Sequence, residues 1–172
     1  TNAFHGASLG ALATTADAWV RNAAGVELSN VTFIPYEGYV EGLDSIKYLQ
    51  KLLDDSSSGI DTPAAVIVEA IQGEGGVNVA SVAWLQNLRQ LTSDRGILLI
   101  IDDIQAGCGR SGDFFSFEEA GIVPDLITLS KSLSASGLPM ALLLIKPEYD
   151  IWKPCQHNGT FRGNNLAFVS AS

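Results

Sequence analysis

Ile97-Leu-Leu-Ile-Ile-Asp-Asp103 decides the fold. The five apolar residues after Gly96 are too few for a helix and show no polar alternation. Such a run reads as a strand buried on both faces, the pattern of parallel sheets covered by helices. The same reading extends outward. Ala64-Ala-Val-Ile-Val68 ends in Glu69, Leu126-Ile-Thr-Leu129 leads through Ser130 to Lys131, and Met140–Ile145 is closed by Lys146-Pro147. Helical spacing falls between the runs. Leu43, Ile46, Leu49, Leu52 and Leu53 share one face, with Asp44 as a cap, and Val82–Arg95 forms a second helix between Ser81 and Gly96. Phe114–Ala120 reads as a short helix stopped by Gly121. Val31–Ile34 reads as a short β-branched and aromatic run closed by Pro35. A polar loop covers 54–62, and a small-residue helix is expected to begin near Val169. Alternating strand and helix signals predict an α/β fold: a mostly parallel central sheet with helices on both faces.

Three strand ends then carry ionisable groups: Glu69, Asp102 and Lys131. Helical crossovers align parallel strands, and ligands of open α/β sheets bind outside the strands' carboxyl ends. One polar strand end is ordinary; three in succession point to a site. A lysine able to form a Schiff base and an aspartate for a pyridinium nitrogen are the apparatus of pyridoxal phosphate chemistry. The residues alone leave plainer readings open. Lysines are mostly surface charges, a strand-end aspartate also caps turns, and an aromatic such as Phe4 is more often core.

Composition narrows the class. In 172 residues, 47% are hydrophobic and 17% charged, which excludes a disordered chain. The net charge of -9 argues against nucleic acid and anionic lipid as partners. No apolar run is long enough to span a bilayer. Cys108 and Cys155 match no metal-ligand spacing, no charged-then-apolar leader opens the chain, and a cytoplasmic protein with reduced thiols is the expectation. The first residue is not Met, and residues 1–172 are expected to be the central part of a larger domain.

In order along the chain stand Phe4-His5-Gly6, Glu69-Ala-Ile-Gln-Gly-Glu-Gly-Gly76, Asp102-Asp-Ile-Gln-Ala-Gly-Cys-Gly-Arg110, Ser130-Lys131-Ser132 and Gly159-Thr160-Phe161. This ordered set resembles the class III aminotransferases among the fold-type-I pyridoxal phosphate enzymes. The resemblance implies that the chain is the middle of their large cofactor-binding domain, without the N-terminal segment and the small C-terminal domain. The stretches 102–112 and 157–165 look most like members that move the distal amino group of L-2,4-diaminobutyrate to 2-oxoglutarate. Those members give aspartate 4-semialdehyde and glutamate and serve ectoine synthesis. Members acting on ornithine, lysine or 4-aminobutyrate, an aminomutase, and a non-catalytic fragment remain alternatives.

Roles follow from the resemblance. Lys131 would carry pyridoxal 5'-phosphate and then act as the proton-shifting base. Asp102 would face the pyridine nitrogen and keep it protonated. Phe4 would stack on the ring, with His5 beside it, and Gln105 would bond the phenolic oxygen. Glu69 would sit near Asp102. Glu74 would pair with a mobile arginine beyond this segment, a switch that admits first an amine and then a dicarboxylate. Thr160 would reach the phosphate of a neighbouring subunit, which implies a homodimer or higher homo-oligomer. Asp103 stands where many relatives have Glu, and Leu166 where many have Pro. Ser134-Ala-Ser-Gly-Leu-Pro139 replaces a glycine-rich stretch.

Overall fold

The structure, a computed structural model, describes residues 1–134, 137–160 and 162–172. Phe161 and part of the stretch 134–139 expected after the lysine lie outside the described residues. Four strands form the main sheet: β1 (Ala65–Val68), β4 (Leu98–Asp102), β5 (Leu126–Leu129) and β6 (Leu142–Ile145), in the order β1-β4-β5-β6. β1, β4 and β5 run parallel, with Val68 opposite Ile101 and Asp102 opposite Thr128. A hairpin of β2 (Ile71–Gln72) and β3 (Asn78–Val79) leaves β1 at the carboxyl end.

Helices α3 (Ser45–Asp54) and α4 (Val82–Asp94) close one sheet face. Each starts where the sequence places a cap. The Asp44 carboxylate accepts from Lys47 N and the Ser81 hydroxyl from Trp84 N, so each satisfies an N–H that a helix start leaves unpaired. The apolar stripe of α4, Leu85, Leu88 and Leu91, packs on Val68, Leu99 and Ile101. Burying one such leucine contributes about 2 kcal/mol. Trp84 Nε1 donates to Ser45 Oγ at 2.9 Å and ties α4 to α3. Leu99 and Ile101 are fully buried, whereas Leu98, Ile100 and Leu126 on the other face are only half-buried in this segment.

Several expectations change. Val31–Ile34 forms no strand, because no ladder partner lies beside it; its last carbonyl accepts instead from the Thr1 ammonium at 2.6 Å. Phe114–Ala120 is not a helix; only Glu118–Ala120 makes a 3₁₀ turn, stopped by Gly121 at φ 61. The Phe114 carbonyl, the first acceptor a longer helix would use, instead accepts from Cys108 N at 2.7 Å, and Glu118 N bonds Phe115 O three residues back. The last strand is Leu142–Ile145, antiparallel to β5 and exposed rather than buried, since it ends the sheet among the described residues. The last helix, α5 (Asn165–Ala171), starts earlier than expected; Asn164 caps it by accepting from Leu166 N and Ala167 N. Proline at 166 would remove one of those donors, which gives Leu166 a local reason. The hairpin and the short helix α1 (Leu9–Thr14) have no clear sequence signal, whereas α2 (Ala18–Arg21) follows Asp17, whose carboxylate accepts from Trp19 N and Val20 N as a cap that the sequence reading does not use. The hairpin strands are two residues each, and α1 has no side-chain cap.

Candidate active site

The parallel strands deliver their terminal residues to one rim. A cavity of about 180 Å³ lies there, lined by Phe4, His5, Gly6, Glu69, Ile71, Asp102, Ile104, Gln105 and Lys131. Six of the eight residues singled out from the sequence therefore meet. Glu74 and Thr160 do not line it: Glu74 is exposed in the turn of the β2–β3 hairpin, and Thr160 is exposed in the segment after β6.

Asp102 is buried at the end of β4. His5 Nδ1 lies 2.7 Å from its Oδ2. Its Oδ1 accepts from Ile104 N and Thr128 Oγ1, each at 3.1 Å. Three contacts, from the His5 segment, the loop after β4 and β5, thus fix one carboxylate. Its neighbour Asp103 points elsewhere and is fully buried, accepting from Ser116 N at 3.2 Å and from the Ser116 hydroxyl. Burial pushes the Asp103 pKa up, against the pull of the Ser116 bonds. This fastens the loop that follows β4 and gives the unassigned Asp103 a place.

Glu69 ends β1 and is buried, with one oxygen accepting from Phe4 N at 3.3 Å. Its carbonyl accepts from the Tyr36 hydroxyl at 3.1 Å, as does that of Ala70 at 3.0 Å. Burial raises the Glu69 pKa to about 7, although His5 and the Phe4 N–H pull it down. Among the described residues, Glu69 Oε2 and His5 Nε2 are buried without a hydrogen-bond partner. Buried polar atoms are rarely left so, and here both belong to the cavity wall. Ligand atoms of His5, Glu69 and Asp102 lie within 4.8 Å of one another.

Lys131 follows β5 and opens a 3₁₀ turn with φ 49. A left-handed lysine costs about 1–2 kcal/mol, and such strain gathers at functional sites. Its ammonium is exposed and makes no hydrogen bond or ion pair among the described residues. The donor set fits the cofactor expected from the sequence: a free amine, a fixed carboxylate, an aromatic ring and an amide around one cavity, with unsatisfied polar atoms in its wall. Sequence reading left the His5–Asp102 contact unseen; its adjacency to Phe4 was the available signal.

Known proteins match the same stretch. The aminotransferase class-III family matches residues 1–172. The chain is 63% identical to a diaminobutyrate–2-oxoglutarate transaminase of Bordetella parapertussis over 173 residues, covering all of this chain and 40% of that protein. It is 61% identical to an enzyme of the same name from Vibrio cholerae, covering all of this chain and 42% of that protein. The chain therefore spans about 40% of the length of these relatives. Among solved structures, an ornithine aminotransferase of Toxoplasma gondii superposes with a TM-score of 0.85 at 32% identity, over 99% of this chain and 38% of that one. The folded segment, the rim site and the full-length family match agree: this chain belongs to the class III aminotransferases.

Proposed function

We propose that the protein containing this segment uses pyridoxal 5'-phosphate to transfer the distal amino group of L-2,4-diaminobutyrate to 2-oxoglutarate, giving aspartate 4-semialdehyde and glutamate. The observation that carries the reading is the pairing of Lys131 and Asp102 on one cavity wall. Identity of 55–63% to diaminobutyrate–2-oxoglutarate transaminases supports the donor. When bound, the cofactor supplies an aldehyde that condenses with amines and a pyridinium ring that withdraws electrons.

The chain's own residues do the rest. Asp102 would hold the proton on the ring nitrogen, and His5, Thr128 and the Ile104 N–H keep its oxygens in place. The Lys131 amine would anchor the cofactor and, when free, would accept and return the proton at the substrate carbon. Phe4 and Gln105 line the same cavity, where Phe4 would pack on the cofactor ring and Gln105 would bond its phenolic oxygen. Glu69 adjusts the field around His5 and Asp102. Glu74 meets an arginine outside this segment, and Thr160 serves the phosphate of a second subunit, so the working unit is a homodimer or larger. Exposure of both residues in this chain is compatible with partners elsewhere. Among the described residues no helix is long and apolar enough to cross a membrane, and both cysteines are unpaired. A cytoplasmic place in ectoine synthesis is part of the proposal and rests on the likeness to the diaminobutyrate transaminases.

The test is an amine-donor series with the full-length protein, pyridoxal phosphate and 2-oxoglutarate, reading glutamate. Diaminobutyrate should be the best donor. Preference for ornithine or 4-aminobutyrate would overturn the substrate; absence of glutamate from every donor would overturn transamination.

A further inference from the structure

The β2–β3 hairpin and the loop after β4 touch at one point. Gly73 begins the hairpin turn, and its Cα lies directly against the side-chain amide of Gln105. A methyl group at Gly73 would sit inside the van der Waals envelope of Gln105 Oε1 and Cδ, and 3.0 Å from Nε2. The backbone of Gly73 is not in the left-handed region, unlike that of Gly76 at φ 114. Alanine would therefore be tolerated by the backbone conformation; the three atoms nearest to a side chain at 73 all belong to the Gln105 amide.

The hairpin has little freedom to move away. Gly75 packs on Asn2, where a methyl would come 2.9 Å from Asn2 Cβ. Gln72 Nε2 donates to Thr1 O at 2.8 Å, and Asn78 Nδ2 donates to Gln72 Oε1 at 3.0 Å. Ala80 N bonds Ala70 O at 3.0 Å. The turn is thus wedged between the segment carrying Phe4 and the side chain of Gln105. Gln105 itself is exposed at the cavity mouth and is the tip of a flexible side chain. If a methyl appears at 73, the hairpin stays and the amide leaves.

We infer that Gly73 is a positioning residue: the space left by its missing side chain is the seat that holds the Gln105 amide toward the cavity. The adjacent Glu74 is held on the same turn, so one backbone contact sets the places of both polar groups. This rests on the proposed role of Gln105 at the cofactor's phenolic oxygen.

A double-mutant cycle in the full-length protein tests it: Gly73→Ala, Gln105→Ala and the pair. Three quantities are read: affinity for added pyridoxal phosphate, the pH dependence of the bound cofactor's visible absorbance, and the thermal midpoint of the cofactor-free protein. Gln105→Ala should weaken affinity about tenfold, the loss of one hydrogen bond. Gly73→Ala should weaken it similarly and move the absorbance profile in the same direction. The pair should be no worse than Gln105→Ala, because the seat has no effect once its occupant is gone. Losses that multiply in the pair, or a silent Gly73→Ala beside an impaired Gln105→Ala, overturn the seat and leave the Gln105 reading standing. A silent Gln105→Ala removes both. Should Gly73→Ala fail to fold, the pair decides: folding like Gln105→Ala supports the seat, and failure to fold shows that the turn needs glycine for itself.

Discussion

The two ends of the parallel sheet hold the same kind of residue in opposite states. At the amino end of β5, Asp125 is fully served. Arg89 Nη1 and Lys146 Nζ each donate to it at 2.7 Å, and Leu99 N donates at 2.8 Å. At the carboxyl end, Glu69 Oε2 and His5 Nε2 are buried with no partner, and Lys131 is strained and free among the described residues. The ionisation responses are opposite as well. Burial opposes ionisation of Asp125, but the Leu99 N–H, Lys146 and Arg89 outweigh it and lower its pKa. Burial prevails at Glu69 and lifts it to about 7. A satisfied carboxylate fastens β4, β5, β6 and α4; an unsatisfied one marks where a ligand completes the structure.

The widest separation of the two ends comes from removing their central residues. On the proposed assignment, Lys131→Ala in the full-length protein should cut transamination on the order of a thousandfold or more, since the anchoring amine and the proton carrier would be lost together. Its unfolding midpoint should stay near that of the parent. Asp125→Ala should do the reverse. It leaves Arg89 and Lys146 facing a low-dielectric site, at a cost of about 3 kcal/mol, while the folded fraction keeps its activity. Urea titration and steady-state rates on both variants check this; loss of activity without loss of stability in Asp125→Ala would erase the distinction between the ends.

Sequence legibility follows the same division. β1, β4 and β5 were readable because continuous apolar runs of four or five residues admit few alternatives, and α3 and α4 because Asp44 and Ser81 sit where a cap must be. The rim cluster of Glu69, Asp102 and Lys131 could be read from strand ends and topology. What escaped depends on contacts far apart in sequence. The hold of His5 on Asp102 spans 97 residues, and that of Asp125 on Lys146 spans 21. The Phe114–Ala120 helix does not form because Cys108 N claims the Phe114 carbonyl, its first acceptor, a competition invisible to periodicity. The antiparallel direction of β6 was likewise not written in Met140–Ile145.

Opposite pKa displacements make the ends separable by pH. Glu69 titrates near 7 when folded and near its ordinary 4.5 when unfolded. Between those values the folded state holds the extra proton, so stability falls as pH rises through the window and is level above it. Moving from 4.5 to about 7 corresponds to roughly 3 kcal/mol, which solvent screening brings to roughly 2–3 kcal/mol. Glu69→Gln should remove this slope and be the more stable protein at pH 8, with no such advantage at pH 4.5. Asp125 has the opposite sign: its contribution is present above its ordinary value and fades as acid carries the pH down through its lowered one. Stability of the cofactor-free full-length protein at several pH values checks both; parallel pH profiles for the parent and Glu69→Gln would show that Glu69 is not the group titrating.

The smallest expected effect bears on strain. Lys131 has φ 49, a region where any side chain with a Cβ crowds the following carbonyl oxygen. Glycine escapes that crowding, worth about 1–2 kcal/mol, but brings more disorder to the unfolded chain, worth about 0.5–1 kcal/mol against it. In the full-length protein Lys131→Gly should therefore be slightly more stable than Lys131→Ala, by roughly 0.5–1 kcal/mol. At exposed Gln90 inside α4 the order should invert, with glycine about 1 kcal/mol less stable than alanine. Neither lysine variant keeps the amine, so chemistry cannot confuse the comparison. Thermal midpoints of the two pairs supply the readout, and a glycine that destabilises at both positions would mean that Lys131 stores no backbone strain. The inversion ties the turn after β5 to the rim rather than to packing: a strained lysine persists there because the surrounding elements hold it, aimed at the cavity that Asp102 faces from β4.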